Sequence, residues 1–214
     1  MNLTALSHYD GDMDTRFGDC IMLNDSTSLI VYDCGHTRHA EEVESFLKSH
    51  SFINSVDIVV SHNDDDHTNG ISSLLDYLFV EKYTSVTVYT SLYLKSAKKV
   101  LELLDGRHTL PATKHHILET FDKIKEIVET AQGYSFIVKD AIVNTTVSSA
   151  VATIVGPAEE DFLEVVAQAI SNNSVTKIEG ETVMNAASIQ LKCELDNGDN
   201  LLLCGDASPV TGHC

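Results

Sequence analysis

The segment Ser61-His62-Asn63-Asp64-Asp65-Asp66-His67 places two imidazoles and three carboxylates within six residues. That mixture of nitrogen and oxygen donors suits zinc, manganese or iron better than calcium. The segment starts where the apolar run Val56–Val60 stops, and Gly70 opens a helical pattern behind it. His62, Asp64 and Asp66, at alternate positions, can converge from a loop at a strand end, with His67 directly following. The plain alternative is an acidic cluster at the start of a helix. The flanking histidines and the strand-end position weigh toward a metal site. Divalent ions held there would lower the pKa of water toward neutrality and so make a nucleophile for hydrolysis.

The stretch resembles the H-x-H-x-D-H signature of the metallo-β-lactamase-fold hydrolases, with Asp64 in place of the second His. Its S-H-x-D-x-D-H form is similar to the branch that contains the nuclease-like domain of ComEC-type DNA-uptake proteins. Three further segments carry the resemblance in the same order. Phe17-Gly18-Asp19-Cys20-Ile21 resembles an early G-D-hydrophobic strand, and Ile30 to Gly35 resembles the next strand, with its D-x-G end. Asn185 to Asp206 resembles the late N-x-x-S and G-D strands.

The resemblance implies an αββα sandwich, with two mixed sheets and helices on the outer faces. It implies two divalent ions, zinc or manganese. His62 and Asp64 would serve the first ion, Asp66 and His67 the second, and Asp206 would bridge them. Asp66 or Asp64 would orient the attacking water. Asp33 and Asp19 would support the metal loop, and Asn185 would touch metal or substrate. The branch points to phosphodiester substrates, either nucleic acid or a nucleotide. Related proteins continue past the G-D strand to a further ligand, whereas His213 stands too close to Asp206 to supply it. The expectation is one domain over residues 1–214 that lacks its last elements and holds its second ion weakly. Its final strand, Leu201 to Cys204, would be an edge open to homo-oligomerisation.

The elements that must position these residues are short apolar runs alternating with helical patterns. Cys20–Leu23 and Ser28–Asp33 read as paired strands, and Val56–Val60 as a strand buried on both faces. Val86–Tyr89 and Ala152–Val155 read as further strands. Ser188–Leu195 and Leu201–Cys204 flank the hairpin signal Asp196-Asn197-Gly198-Asp199. Helices are predicted over Glu41–His50 and Asn69–Phe79. Others are expected through Leu94, Ala97, Leu101 and Leu104; through Ile117, Phe121, Ile124 and Val128; and through Phe162 to Ile170. Ser171 to Gly180 reads as a loop. His36 and His39 fall near the mouth of the site, and His115-His116 read as solvent-facing. The N-terminal residues His8, Asp10, Asp12 and Asp14 form a polar loop without the pattern of a calcium-binding hand.

Composition narrows the function. The chain has 214 residues, 14 Lys plus Arg against 32 Asp plus Glu, and a formal charge of −18. A non-specific nucleic-acid coat needs the opposite sign, so a small or short phosphodiester is favoured over a long duplex. Five cysteines without a C-x-x-C pair argue against a disulfide scaffold or a structural zinc site. No signal peptide or transmembrane run is visible, which predicts a cytoplasmic protein without a membrane partner. Two rivals remain. One is hydrolysis of a lactone, thioester or other small ester on the same scaffold. The other is a non-catalytic module with a degenerate metal site.

Overall fold

The apolar runs become strands in the computed structural model, which describes residues 1–6, 18–91, 97–104, 109–148, 152–172, 177–178 and 181–207. The first half alternates strands and helices. It contains β1 (Asn2–Leu6), β2 (Cys20–Asp25), β3 (Ser28–Tyr32), α1 (Thr37–Ser49), β4 (Ser55–Val59), α2 (Asp65–Thr68), α3 (Ile71–Val80) and β5 (Ser85–Thr90). Next come α4 (Ala97–Leu103), α5 (Leu110–Thr120), α6 (Asp122–Gly133), β6 (Ile137–Asp140), β7 (Thr146–Val147), β8 (Ala152–Gly156) and α7 (Glu159–Asn172). The chain goes on through β9 (Lys177–Ile178), β10 (Glu181–Thr182), α8 (Val183–Ala186), β11 (Gln190–Glu194) and β12 (Asn200–Leu203).

Strands β1 to β6 form one sheet in chain order. β1, β2 and β3 run antiparallel, and β3 to β6 run parallel through helical crossovers. The second sheet has the order β12-β11-β8-β7 and is antiparallel at every described pairing. The expected α/β architecture of two sheets with helices is present, with one sheet mixed and the other antiparallel.

Side-chain alternation explains the layering. In β3 and β4, Leu29, Val31, Val56 and Ile58 join a core shared with α1, α3, α5, α6 and α7. Ile30, Tyr32 and Val59 point the other way, into a core with Val147, Ile154, Ile189 and Leu191 of the second sheet. A strand covered on both faces reads as a continuous apolar run; Leu29–Tyr32 of β3 does so, whereas β4 is interrupted by the buried Asp57. The Tyr32 hydroxyl crosses the interface and donates to the Ile189 carbonyl at 2.5 Å. The far face of the second sheet shows the exposed side chains of Lys192 and Glu194, because α7 packs with α4 and α5 on the first sheet's side.

Several elements depart from the sequence reading. Ile117, Phe121, Ile124 and Val128 lie on two helices rather than one, since the backbone at Phe121 turns to φ −116° and ψ 46°. The stretch read as a loop at Ser171 to Gly180 contains the end of α7 and β9, which pairs with β10. Leu94, the N-terminal acidic loop and His213 fall outside the described residues. Among the described residues no helix is long and apolar enough to cross a membrane. Among the described residues β12 pairs only with β11.

Candidate metal centre

At one end of the interface, β3 and β4 deliver Asp33, Ser61 and His62 beyond their last paired residues. Asp33 has φ +59°, a left-handed backbone that costs roughly 1–2 kcal/mol for most residues and is tolerated best by Gly, Asn and Asp. Its side chain is fully buried and receives three donors. The Ser61 N–H reaches Oδ1 at 2.7 Å, while Ser61 Oγ and His67 Nδ1 reach Oδ2 at 2.6 and 2.8 Å.

These contacts decide which ring nitrogens carry protons. The Ser61 hydroxyl has a single proton and gives it to Asp33, so its oxygen accepts from His62 Nδ1 at 2.9 Å. His62 Nε2 is then a bare lone pair. It is buried and has no hydrogen-bond partner among the described residues, a state that is costly unless something else occupies it. His67 gives its Nδ1–H to Asp33 and likewise presents Nε2. One buried carboxylate thus sets the orientation of both rings, directly for His67 and through Ser61 for His62.

Both Nε2 atoms face Asp206. Its carboxylate lies 3.4 Å from His67 Nε2 and 4.0 Å from His62 Nε2, and Asp64 lies 3.7 Å from His62 Nε2. One ligand atom each from His62, His67 and Asp206 fall within 4.8 Å of one another. Ligands held about 2.0–2.2 Å from a tetrahedral ion stand roughly 3.3–3.6 Å apart. The cluster can therefore close around a divalent cation with a contraction of up to roughly an ångström. Among the described residues these three ligands would leave a coordination position open on a four-coordinate ion.

Close backbone contacts hold the metal loop. Asp19 N–H donates to the Asp66 carbonyl at 2.8 Å, Cys34 N–H to His67 at 3.0 Å, and Gly70 N–H to Cys34 at 2.7 Å. A Cβ on Gly35 would sit 1.6 Å from the Asp66 carbonyl oxygen, so only glycine lets the β3 end lie against the loop. Gly205, with φ +54°, brings the β12 end against Ser61, where a Cβ would meet that side chain at 2.9 Å. Asp206 reaches the histidines from the second sheet by this approach.

The charges reinforce one another. Burial opposes the charge on His67, but the hydrogen bond and charge of Asp33, with Asp206 and Asp19 behind, hold its pKa up at about 9. Burial pushes the Asp19 carboxyl up, His67 opposes that, and Asp33, Asp206 and Asp66 add to it. Asp19 and Asp66 therefore stand in the same field without belonging to the converging triad. Asn185 lies in α8, where its carbonyl accepts from Ser188 N–H at 3.0 Å. His36 caps α1 by accepting from Arg38 N–H at 3.1 Å, and His39 is buried in that helix. His115 and His116 are exposed on α5 and face Glu119. The reading by type and spacing gave Ser61 no role. Its position before His62 was the available signal, but its partner Asp33 is 28 residues away.

No protein-family model matches the chain, and no curated protein matches it. Among solved structures, the chain is similar to a Thermotoga maritima protein assigned as a metallo-β-lactamase, with TM-score 0.47 and 11% identity over 97% of this chain and 86% of that one. It is also similar to the metallo-β-lactamase-fold protein YhfI from Bacillus subtilis, with TM-score 0.48 and 10% identity over 95% of this chain and 61% of that one. A Cronobacter sakazakii metallo-β-lactamase HARLDQ motif mutant gives TM-score 0.44 and 14% identity over 89% and 57%. The chain thus spans less than two thirds of the length of the last two.

Proposed function

We propose that this protein is a metal-dependent hydrolase of the metallo-β-lactamase type that cleaves small or short phosphodiesters. The observation that supports it is the convergence of His62 Nε2, His67 Nε2 and the Asp206 carboxylate around one point, with His62 Nε2 buried and without a hydrogen-bond partner among the described residues. His62, His67 and Asp206 would hold a divalent ion, zinc or manganese, with Asp64 beside them. Asp66 and Asp19 are the nearby carboxylates for a second. A bound divalent ion supplies Lewis acidity toward the scissile group and lowers the pKa of water.

The chain's own residues do the rest. Asp33 and Ser61 keep the Nδ1 protons of both histidines turned away from the site, so both Nε2 atoms face it, and His67 Nε2 would lose, on binding a cation, the proton it carries below its raised pKa. Asp64 is 42% exposed at its side chain, which lets it accept a proton from an incoming water. The phosphodiester preference rests on the S-H-x-D-x-D-H pattern, and the net charge of −18 favours a small substrate over a long polyanion.

The test is turnover of bis-p-nitrophenyl phosphate with added Zn²⁺ or Mn²⁺, beside a lactone and a thioester, before and after chelation. Chelator-sensitive phosphodiester cleavage that disappears in His62→Ala and Asp206→Ala supports the reading. Cleavage of only the lactone or thioester overturns the substrate class. Metal binding without any turnover overturns the enzymatic reading.

A further inference from the structure

Helix α6 begins badly. Its N-cap position is Phe121, whose side chain has no acceptor, and no cap bond forms from it. The first amide groups of a helix need outside acceptors. Ile124, three residues into the helix, finds one in Asn63: its N–H donates to Asn63 Oδ1 at 3.0 Å. The same amide donates from Nδ2 to Asp122 Oδ1, also at 3.0 Å. An N-cap side chain normally serves this third amide from within its own helix. Here the service comes from a residue 61 positions earlier in the chain.

Asn63 stands between His62 and Asp64, in the loop that carries the candidate ligands. Its amide makes two bonds in opposite senses, which fixes the orientation of the side chain and of the loop carrying it. Two residues on, the first residue of α2 adds a looser contact, with Lys123 Nζ lying 3.4 Å from Asp65. That pair is partly exposed and contributes little.

We propose that Asn63 is a positioning residue that bolts the metal-binding loop to the start of α6, so that cation binding and capping of α6 are linked. The proposal rests on the metal-site reading above. Ordering the loop around a cation holds Asn63 against Ile124, and a capped α6 in turn holds His62 and Asp64 toward the site.

The test uses the full chain and Zn²⁺ alone. Affinity is read by competition with a chromophoric chelator, and capping by hydrogen exchange at the Ile124 amide. Zinc should slow Ile124 exchange in the wild type. Asn63→Ala should weaken zinc binding roughly ten- to hundredfold, as loss of a ligand-orienting partner does, and should leave Ile124 fast with or without zinc. Asn63→Asp sets a carboxylate against Asp122 and should weaken binding too. Adding Asp122→Asn to it restores the pair with donor and acceptor exchanged, and should return affinity to within a few-fold of wild type. A purely structural role would lower stability but leave zinc affinity unchanged. A wild type that binds zinc, with Asn63→Ala within twofold of it, overturns this proposal alone. A wild type that binds no zinc overturns the metal-site reading and this proposal with it.

Discussion

Raising the pH should destabilise the metal-free protein through His67. A histidine whose folded pKa lies above its unfolded value adds stability that is complete below the unfolded pKa and is lost as pH rises through the folded one. His67 is held at about 9 in the folded chain, against about 6.5 for an unfolded histidine. That gap corresponds to about 3 kcal/mol at most, of which about 2 should vanish between pH 6.5 and 8.5. Burial pushes the Cys193 thiol up to about 11, and the hydrogen bond with the Cys34 thiol, then burial, pushes the Cys20 thiol far above its usual range. Thiols of that kind affect stability only above about pH 8.5, beyond the window used. The assay is urea unfolding of chelator-treated protein across the window, beside Asp33→Asn, which removes the anion that raises His67. The wild type should lose stability with pH, and the variant should start lower and lose much less. Wild-type stability that is flat or rising, with no difference in slope from Asp33→Asn, would refute the account of the buried Asp33–His67 pair.

Two substitutions probe the scaffold around the site. Ser61→Ala removes the oxygen that accepts from His62 Nδ1. It should let His62 populate the other tautomer, visible in its ¹⁵N shifts in the metal-free protein, and weaken zinc binding roughly tenfold or more. Gly35→Ala drives a methyl group to within 1.6 Å of the Asp66 carbonyl oxygen. It should cost more than about 2 kcal/mol in urea unfolding, in the range of severe overpacking, and displace the metal loop, whereas a near-neutral result would mean that the β3 end does not press on that loop.

Much of this was legible from residue types and spacing, for physical reasons. β3 and β4 are covered on both faces, so burial made them strongly apolar, with Asp57 the one charged residue inside β4. The density of ligands between His62 and His67 marked a candidate metal loop, and the resemblance of the Gly205-Asp206 strand end singled out Asp206, which the fold brings to the same place. β1 and β6 are edge strands with largely exposed side chains, so they left no apolar pattern to read. The break at Phe121 was hidden because Ile117, Phe121 and Ile124 stay buried at helical spacing on both sides of it. The roles of Ser61 and Asn63 depend on Asp33 and Ile124, partners that only the tertiary fold brings near. The convergence of both histidines on a single point also belongs to the fold, since the motif alone allowed one histidine per ion.

Metal stoichiometry shows whether His62, His67 and Asp206 hold one ion between them. Elemental analysis of the full chain, loaded with Zn²⁺ or Mn²⁺ and freed of excess, is compared with His62→Ala, His67→Ala and Asp206→Ala, each checked for native circular dichroism. The account predicts at least one tightly held ion per wild-type chain and loss of that ion in all three variants, because they share one ligand set. Equal metal content in the wild type and the three folded variants would contradict it.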